Sequence, residues 1–291
     1  MKKVTKFQPV LGIIGGTGIY QFDALTILEE ILVETPFGNP SSPIVIGDIN
    51  GTIVAFLARH GIGHILSPSE INYRANIFAL KSLGIEKIIS ISACGSLRED
   101  FAPGDIVIPD QIFDFTKNRE RTFFNSGLVA HIGSANPFCP ELSKALYEAV
   151  RFNGGHVHFG GTFVTIEGPR FSTKAESKLF RSWGMSIIGM TSSPEAFLAR
   201  EAEICYAAFA HVTDFDVWHE IEKPVTVEMI IKILTQNKEI AQNSIVSVVS
   251  NLPKGDCACN HALNGALTTS TDQISPEIKR KLSILVEKYI S

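Results

Sequence analysis

The residues able to do chemistry in this sequence collect in short polar clusters, each following an apolar run. Val10-Leu-Gly-Ile-Ile14 ends in Gly15-Gly16-Thr17-Gly18, a loop whose backbone can approach an anion closely and whose centre offers a hydroxyl. No Gly-Lys-Ser/Thr follows, and Gln21 stands where a dinucleotide fingerprint needs its third glycine. Alone, the loop reads equally well as a tight turn. Arg59-His60 closes a second apolar run and could give phosphate a donor fork and a titratable partner; a solvated strand-edge arginine is the plain alternative. Asp214-Phe-Asp216 follows the apolar run Ile204 to Val212, and an extended chain sets its two carboxylates on one side. Crowded, poorly solvated carboxylates raise one pKa, and a neutral carboxyl can protonate a leaving group. A strand-end cap would use the same residues without catalysis.

Metal chemistry finds less support. His60 and His64 enclose Gly61 and Gly63 with no glutamate, so the helical zinc motif is absent. Cys257-Ala-Cys259-Asn-His261 resembles half a metal site without a second half at zinc-finger spacing, which points to a redox-sensitive or structural segment. His156 and His158 lie near a strand start and are expected to face solvent. No metal is expected.

The elements that must position these clusters alternate. Ile44 to Ile49 and Thr52 to Ala58 flank Asn50-Gly51, a hairpin signal because a type I′ turn needs positive φ at both central residues. Helices are expected over Ser69 to Ser82, Leu142 to Phe152, from a capping box at Thr173-Lys-Ala-Glu176, and as one long helix over Val227 to Val249. Strands are expected over Lys87 to Ala93, Asp105 to Ile108, Gly161 to Ile166, Met185 to Met190 and Ile204 to Thr213. One α/β domain with a central mixed, largely parallel sheet flanked by helices is the economical reading, with a core from about 10 to 253, a surface excursion over 254–275 and a C-terminal helix over 276–291. Ligands in such folds sit beyond the C-terminal strand ends, where the clusters 15–18, 59–60, 92–96, 189–193 and 214–216 fall.

Composition bounds the partners. Over 291 residues, 26 Lys and Arg stand against 30 Asp and Glu for a net charge of −4, so broad nucleic-acid binding through the phosphate backbone is disfavoured. No apolar run approaches the ~20 residues that span a bilayer, and five scattered cysteines do not make a secreted disulfide framework. A cytoplasmic location is expected, with neither membrane nor nucleic acid as a partner.

Taken together and in order, Leu11-Gly-Ile-Ile-Gly-Gly-Thr-Gly-Ile19, Arg59-His60-Gly61, Asn72-Tyr-Arg-Ala-Asn76, Ala93-Cys-Gly-Ser-Leu-Arg98, Gly104-Asp105, Thr165-Ile-Glu-Gly-Pro-Arg-Phe171 and Gly189-Met190-Thr191 resemble the trimeric purine nucleoside phosphorylases, in particular the branch acting on 5′-methylthioadenosine. The resemblance runs from about Val10 to Pro253. It implies cleavage of a purine nucleoside by inorganic phosphate, with no metal or organic cofactor, in a homotrimer or a dimer of trimers. It places Thr17, Arg59, His60, Ser92, Ala93 and Thr191 around phosphate, Phe171 on the purine and Met190 against the ribose. His64, Val227 and Ile230 would border the 5′-substituent, and His131 would reach across a subunit boundary. Asp214 would face N7 and the 6-amino group; relatives preferring 6-oxopurines carry Asn there, so Asp214 and Asp216 favour adenine as well as catalysis. Two departures are visible: Gly189 stands where some relatives have Asn, and Ser192-Ser193 replaces more apolar residues. A 6-oxopurine or broad-specificity phosphorylase, a non-catalytic nucleoside binder and a nucleotide-dependent dehydrogenase are the competing readings.

Overall fold

A computed structural model describes residues 5–15, 22, 24–219 and 226–290. Strands β1 (Leu11–Gly15), β2 (Thr26–Ile31), β3 (Ile44–Ile49) and β4 (Thr52–Ala58) precede helix α1 (Tyr73–Ser82). Then come β5 (Lys87–Ser96), β6 (Ile106–Ile108), β7 (Gln111–Phe115), α2 (Pro140–Phe152), β8 (Val157–Phe159), β9 (Thr162–Ile166) and α3 (Lys174–Ser182). The chain continues through β10 (Ile187–Gly189), α4 (Ser192–Glu201), β11 (Cys205–Asp214), α5 (Val227–Gln236), α6 (Lys238–Ser250), α7 (Pro276–Lys281) and α8 (Ser283–Ile290). The strands join in one mixed sheet with the path β2-β3-β4-β1-β5-β10-β9-β7.

The pivot is β5. It pairs in parallel with β11 along nearly its whole length and with β1 in its first half, then antiparallel with β10 at Gly95 and Ser96. Strands covered on both faces read as continuous apolar runs, and all ten residues of β11 are buried. The Asn50-Gly51 turn forms as expected: φ is 52° and 84° at the two residues, and the antiparallel register closes on Ile49 opposite Thr52. The capping box also forms, with Thr173 and Glu176 satisfying reciprocal backbone donors.

Three expectations change. The long helix divides at Asn237, which ends α5 and whose side-chain amide donates to the Gly104 carbonyl at 2.7 Å. The two pieces then face different neighbours: Leu234, Ala241, Ile245 and Val248 are buried, whereas Ile231 is 49% exposed. The stretch 254–275 is irregular but not a free excursion, because Leu263, Ala266 and Ile274 pack in the cluster that holds Ala199 and Leu285. Isolated apolar residues without a period gave no sign of that anchoring. The C-terminal helix is two short helices that meet at buried Leu282. No helix among the described residues is long and apolar enough to cross a membrane.

Replacing Gly51 by Val should lower stability by ~1–2 kcal/mol, since a β-branched residue must enter the left-handed region with no steric clash to add to the strain. Urea unfolding should show that loss with turnover unchanged.

Candidate active site

One buried arginine ties the C-terminal ends of β1 and β4 to the middle of β5 and the first turn of α4. Arg59 follows β4, and its amide continues the ladder by donating to the Gly15 carbonyl at 3.0 Å. Its guanidinium is wholly buried and grips Glu195 of α4 in a two-pronged pair, Nε to Oε2 at 2.7 Å and Nη2 to Oε1 at 2.9 Å. Nη2 also donates to Ser90 Oγ at 2.5 Å, and Nη1 to the Ile91 carbonyl at 3.0 Å. Glu195 in turn accepts from the hydroxyls of Ser90 and Tyr206 at 2.9 and 2.8 Å. Burial works against the charge, but Glu195 outweighs it, and the Arg59 pKa lies above its ordinary value. The fork expected to face phosphate is therefore closed on Glu195. Of its five N–H groups, one on Nη1 is not engaged by these acceptors, and Arg59 still reaches the wall of the adjoining cavity.

That cavity, about 460 Å³, lies beyond the C-terminal ends of β4, β5, β10 and β11. Its walls include Arg59, His60, His64, Ser92, Ala93, Phe171, Met190, Thr191, Asp214, Asp216, Val227 and Ile230, so residues far apart in sequence converge as expected. Thr17 lies outside the described residues. His131 is exposed and not in this cavity; its amide donates to the Ala266 carbonyl at 2.9 Å. A larger cleft of about 890 Å³ opens at the opposite, N-terminal strand ends, lined by Val10, Thr52 and Lys87 among others, and gathers none of the clusters.

Register separates two ends of the cavity. On β11, His211 pairs with Ala93 and Asp214 with Gly95, so the Ser92–Ala93 end and the Asp214 end stand about two residues apart along β5. At the rise of a strand that is ~7 Å, room for a sugar ring between an anion and a base. At the first end Ser92 Oγ is buried with no hydrogen-bond partner, free to meet a ligand. His60 Nδ1 lies 2.9 Å from the Leu66 carbonyl, which makes it the donor and leaves Nε2 as the other polar atom. Burial and neighbouring Arg59 push His60 down to about 4, so the neutral ring is favoured near pH 7.

At the other end the two aspartates come together by a route the extended-chain argument did not describe. A register shift between Val212 and Asp214 ends β11, and Asp216 has φ 50°, so the segment turns rather than running straight. Asp214 Oδ1 accepts the Asp216 amide at 2.8 Å, closing an Asx turn, and Oδ2 accepts the Thr213 hydroxyl at 2.7 Å. Burial pushes Asp214 up to about 6 and raises Asp216 as well. Asp216 Oδ2 is a buried acceptor without a hydrogen-bond partner. Gly95 permits the approach, since a Cβ there would lie 2.9 Å from Asp214 Oδ1.

Arg119 is a functional support that sequence reasoning missed. From the loop after β7 its buried guanidinium donates to the carbonyls of Met190 and Ser193, each at 2.7 Å, and to that of Glu167 at 2.7 Å, bracing two cavity-lining segments. Glu167 receives Ser69, Lys117 and Asn118; burial resists ionisation, yet these donors and Arg119 together hold it down at about 2. Nothing local marks a loop arginine as buried. Glu195 was more legible: it shares an i, i+3, i+4, i+7 stripe with Leu198, Ala199 and Ala202, all buried, and a lone acid on such a stripe needs a partner. At Gly189 a Cβ would sit 2.7 Å from the Phe163 ring, which fills the space a side chain there would need. His156 faces solvent as expected, whereas His158 is largely covered; each meets a carboxylate oxygen of Asp105, at 2.7 and 2.8 Å.

Residues 10–250 match the family described as the phosphorylase superfamily. The chain is 49% identical over 283 residues to the S-methyl-5'-thioadenosine phosphorylase of Koribacter versatilis, with 97% of each chain covered. It is 51% identical over 288 residues to that of Gloeobacter violaceus, covering 97% of this chain and 96% of the relative. Its fold is similar to a methylthioadenosine phosphorylase from an antarctic soil metagenomic library, with TM-score 0.90, 48% identity, and 96% and 100% of the two chains covered. The Schistosoma mansoni methylthioadenosine phosphorylase in complex with adenine gives TM-score 0.83 at 35% identity over 96% and 98% of the chains.

Truncating Glu195 to Ala should destabilise the fold by ~3–5 kcal/mol, because it strands a buried guanidinium. Chemical denaturation would register the loss.

Proposed function

The chain belongs to the phosphorylase superfamily, and from that premise we propose that it cleaves 5′-methylthioadenosine with inorganic phosphate, giving adenine and 5-methylthioribose 1-phosphate. Curated relatives bear this activity in their names, and a variant of the Schistosoma mansoni enzyme is solved in complex with methylthioadenosine. The observation that carries the assignment is buried Asp214, raised to about 6 and set ~7 Å along β5 from an anion-ready end.

In this reading phosphate rests among Ser92, Ala93, Thr191 and His60, with Thr17 beside it and the remaining Arg59 N–H in reach. Its oxygen attacks the anomeric carbon as the bond to adenine N9 breaks, and positive charge develops on the sugar. The anion held below the ring supplies both proximity and compensation of that charge. The departing electron pair enters the purine, and protonated Asp214 delivers its proton to N7. Asp216 Oδ2, a buried acceptor without a partner, suits the exocyclic amine of adenine; a 6-oxo group would set acceptor against acceptor. Phe171 stacks on the base and Met190 lies against the ribose. Val227, Ile230 and neighbouring Ile231 present an apolar wall suited to a methylthio group, with His64 beside them. His131, exposed on its own chain, serves a neighbour's cavity in a homotrimer or dimer of trimers. Phosphate is the nucleophile, so neither a catalytic metal nor an organic cofactor has a part. The enzyme works in the cytoplasm.

Mixing the protein with methylthioadenosine, adenosine or inosine, with and without phosphate, tests the assignment: phosphate-dependent release of adenine from methylthioadenosine is expected, and no base release from any of them would overturn it. Asp214→Asn should lower kcat on adenine nucleosides ~10²–10⁴-fold with phosphate affinity unchanged. Because the acid form is the active one, kcat/KM should fall as pH rises through about 6, and the variant should lose that limb. The same sign governs stability. A carboxyl raised by burial favours folding in its neutral form, so the variant should unfold no more easily than the parent at pH 8.

A further inference from the structure

Four of the five cysteines meet on the far side of the sheet's apolar packing, away from the cavity. Cys139 is the N-cap residue of α2, Cys205 opens β11, and Cys257 and Cys259 flank the start of the turn Ala258–His261. Their four Sγ atoms all lie within 4.8 Å of one another. We propose that Cys139, Cys205, Cys257 and Cys259 form a tetrathiolate site for a structural divalent cation of the zinc class.

The geometry favours a shared centre over two disulfides. A tetrahedral ion bound at the usual zinc–sulfur length of ~2.3 Å sets its sulfurs ~3.8 Å apart. The Cys139 and Cys257 sulfurs are 3.7 Å apart. A pair of disulfides would instead sort the thiols two by two, whereas here each thiol is close to all three others. The second half of the motif that Cys257-Ala-Cys259 lacks is supplied from two distant elements, so spacing could not reveal it. Three of the four are nearly fully buried, which suits a closed structural site rather than one with an open position for catalysis. Four thiolates around a divalent ion leave a net charge of −2. Arg200 Nη1, 3.8 Å from Cys259 Sγ, and the helix N-terminus under Cys139 offset it. Asn260 meets Cys205 Sγ at 3.8 Å and can present its NH₂ to a thiolate by an amide flip. Glu141 opposes the site: its carboxylate accepts from the Cys139 and Cys257 thiols at 3.3 and 3.5 Å. It is exposed, so loss of those protons lets it swing to water. Such a site would pin the 254–275 stretch to α2 and β11.

The full chain, purified with a thiol reductant and without chelator, should carry one zinc per protomer by elemental analysis. Its apo form should take up cobalt with thiolate charge-transfer and tetrahedral d–d bands. Cys139→Ser/Cys257→Ser should lose the metal while Cys94→Ser keeps it, and stripping the metal should lower Tm with kcat unchanged. The proposal fails if the reduced parent chain binds neither zinc nor cobalt. It also fails if alkylation and intact mass show two disulfides in the purified protein, or if the double variant retains full metal content.

Discussion

The site depends on a charge that it does not display. Arg59 and Glu195 are both buried, and their partners tie the ends of β1 and β4 to the middle of β5, the start of β11 and the first turn of α4. Isolated charges of this kind are expensive in a protein interior. Their mutual neutralisation and the further hydrogen bonds each makes disfavour any arrangement that would separate them. Rigidity at one end of the cavity therefore comes from a paired charge, while burial and the nearby Arg59 keep His60 neutral.

The opposite end works by the reverse principle. Asp214 has hydrogen bonds but, among the described residues, no paired cation, and burial raises its pKa. Two buried carboxyl groups, Glu195 and Asp214, thus differ in their surroundings: one is paired with an arginine, and the other has its pKa raised by burial. What separates them is position: Glu195, in the first turn of α4, meets Arg59, whereas Asp214, at the end of β11, accepts from the Thr213 hydroxyl and the Asp216 amide.

Much of this was legible from sequence. Alternating apolar runs gave the α/β class, and the clusters at the ends of β4, β5, β10 and β11 are those that line the cavity. Asn50-Gly51 and Thr173 through Glu176 formed as local chemistry dictates, because their determinants lie within a few residues. What failed to show was non-local. Arg59 looked like a donor fork because Glu195 is remote in sequence, and Arg119 gave no sign because its acceptors are carbonyls contributed by other loops. Asp214 and Asp216 were paired correctly but through the wrong geometry, since a strand-ending turn leaves no mark in an apolar pattern. The break at Asn237 was likewise hidden, because an unbroken stripe says nothing about a carbonyl across the molecule that captures the side chain.

The close contact between Gly189 and the Phe163 ring bears on which side chains this wall can carry. The ring is fully buried, and the space a Cβ would need at 189 is already filled by it. A side chain at 189 therefore needs the Phe163 ring to give way first, and a smaller residue at 163 would leave space beside Gly189. The size of one side chain sets what the other position can hold, so the wall behind Gly189 is built by a residue of the neighbouring strand.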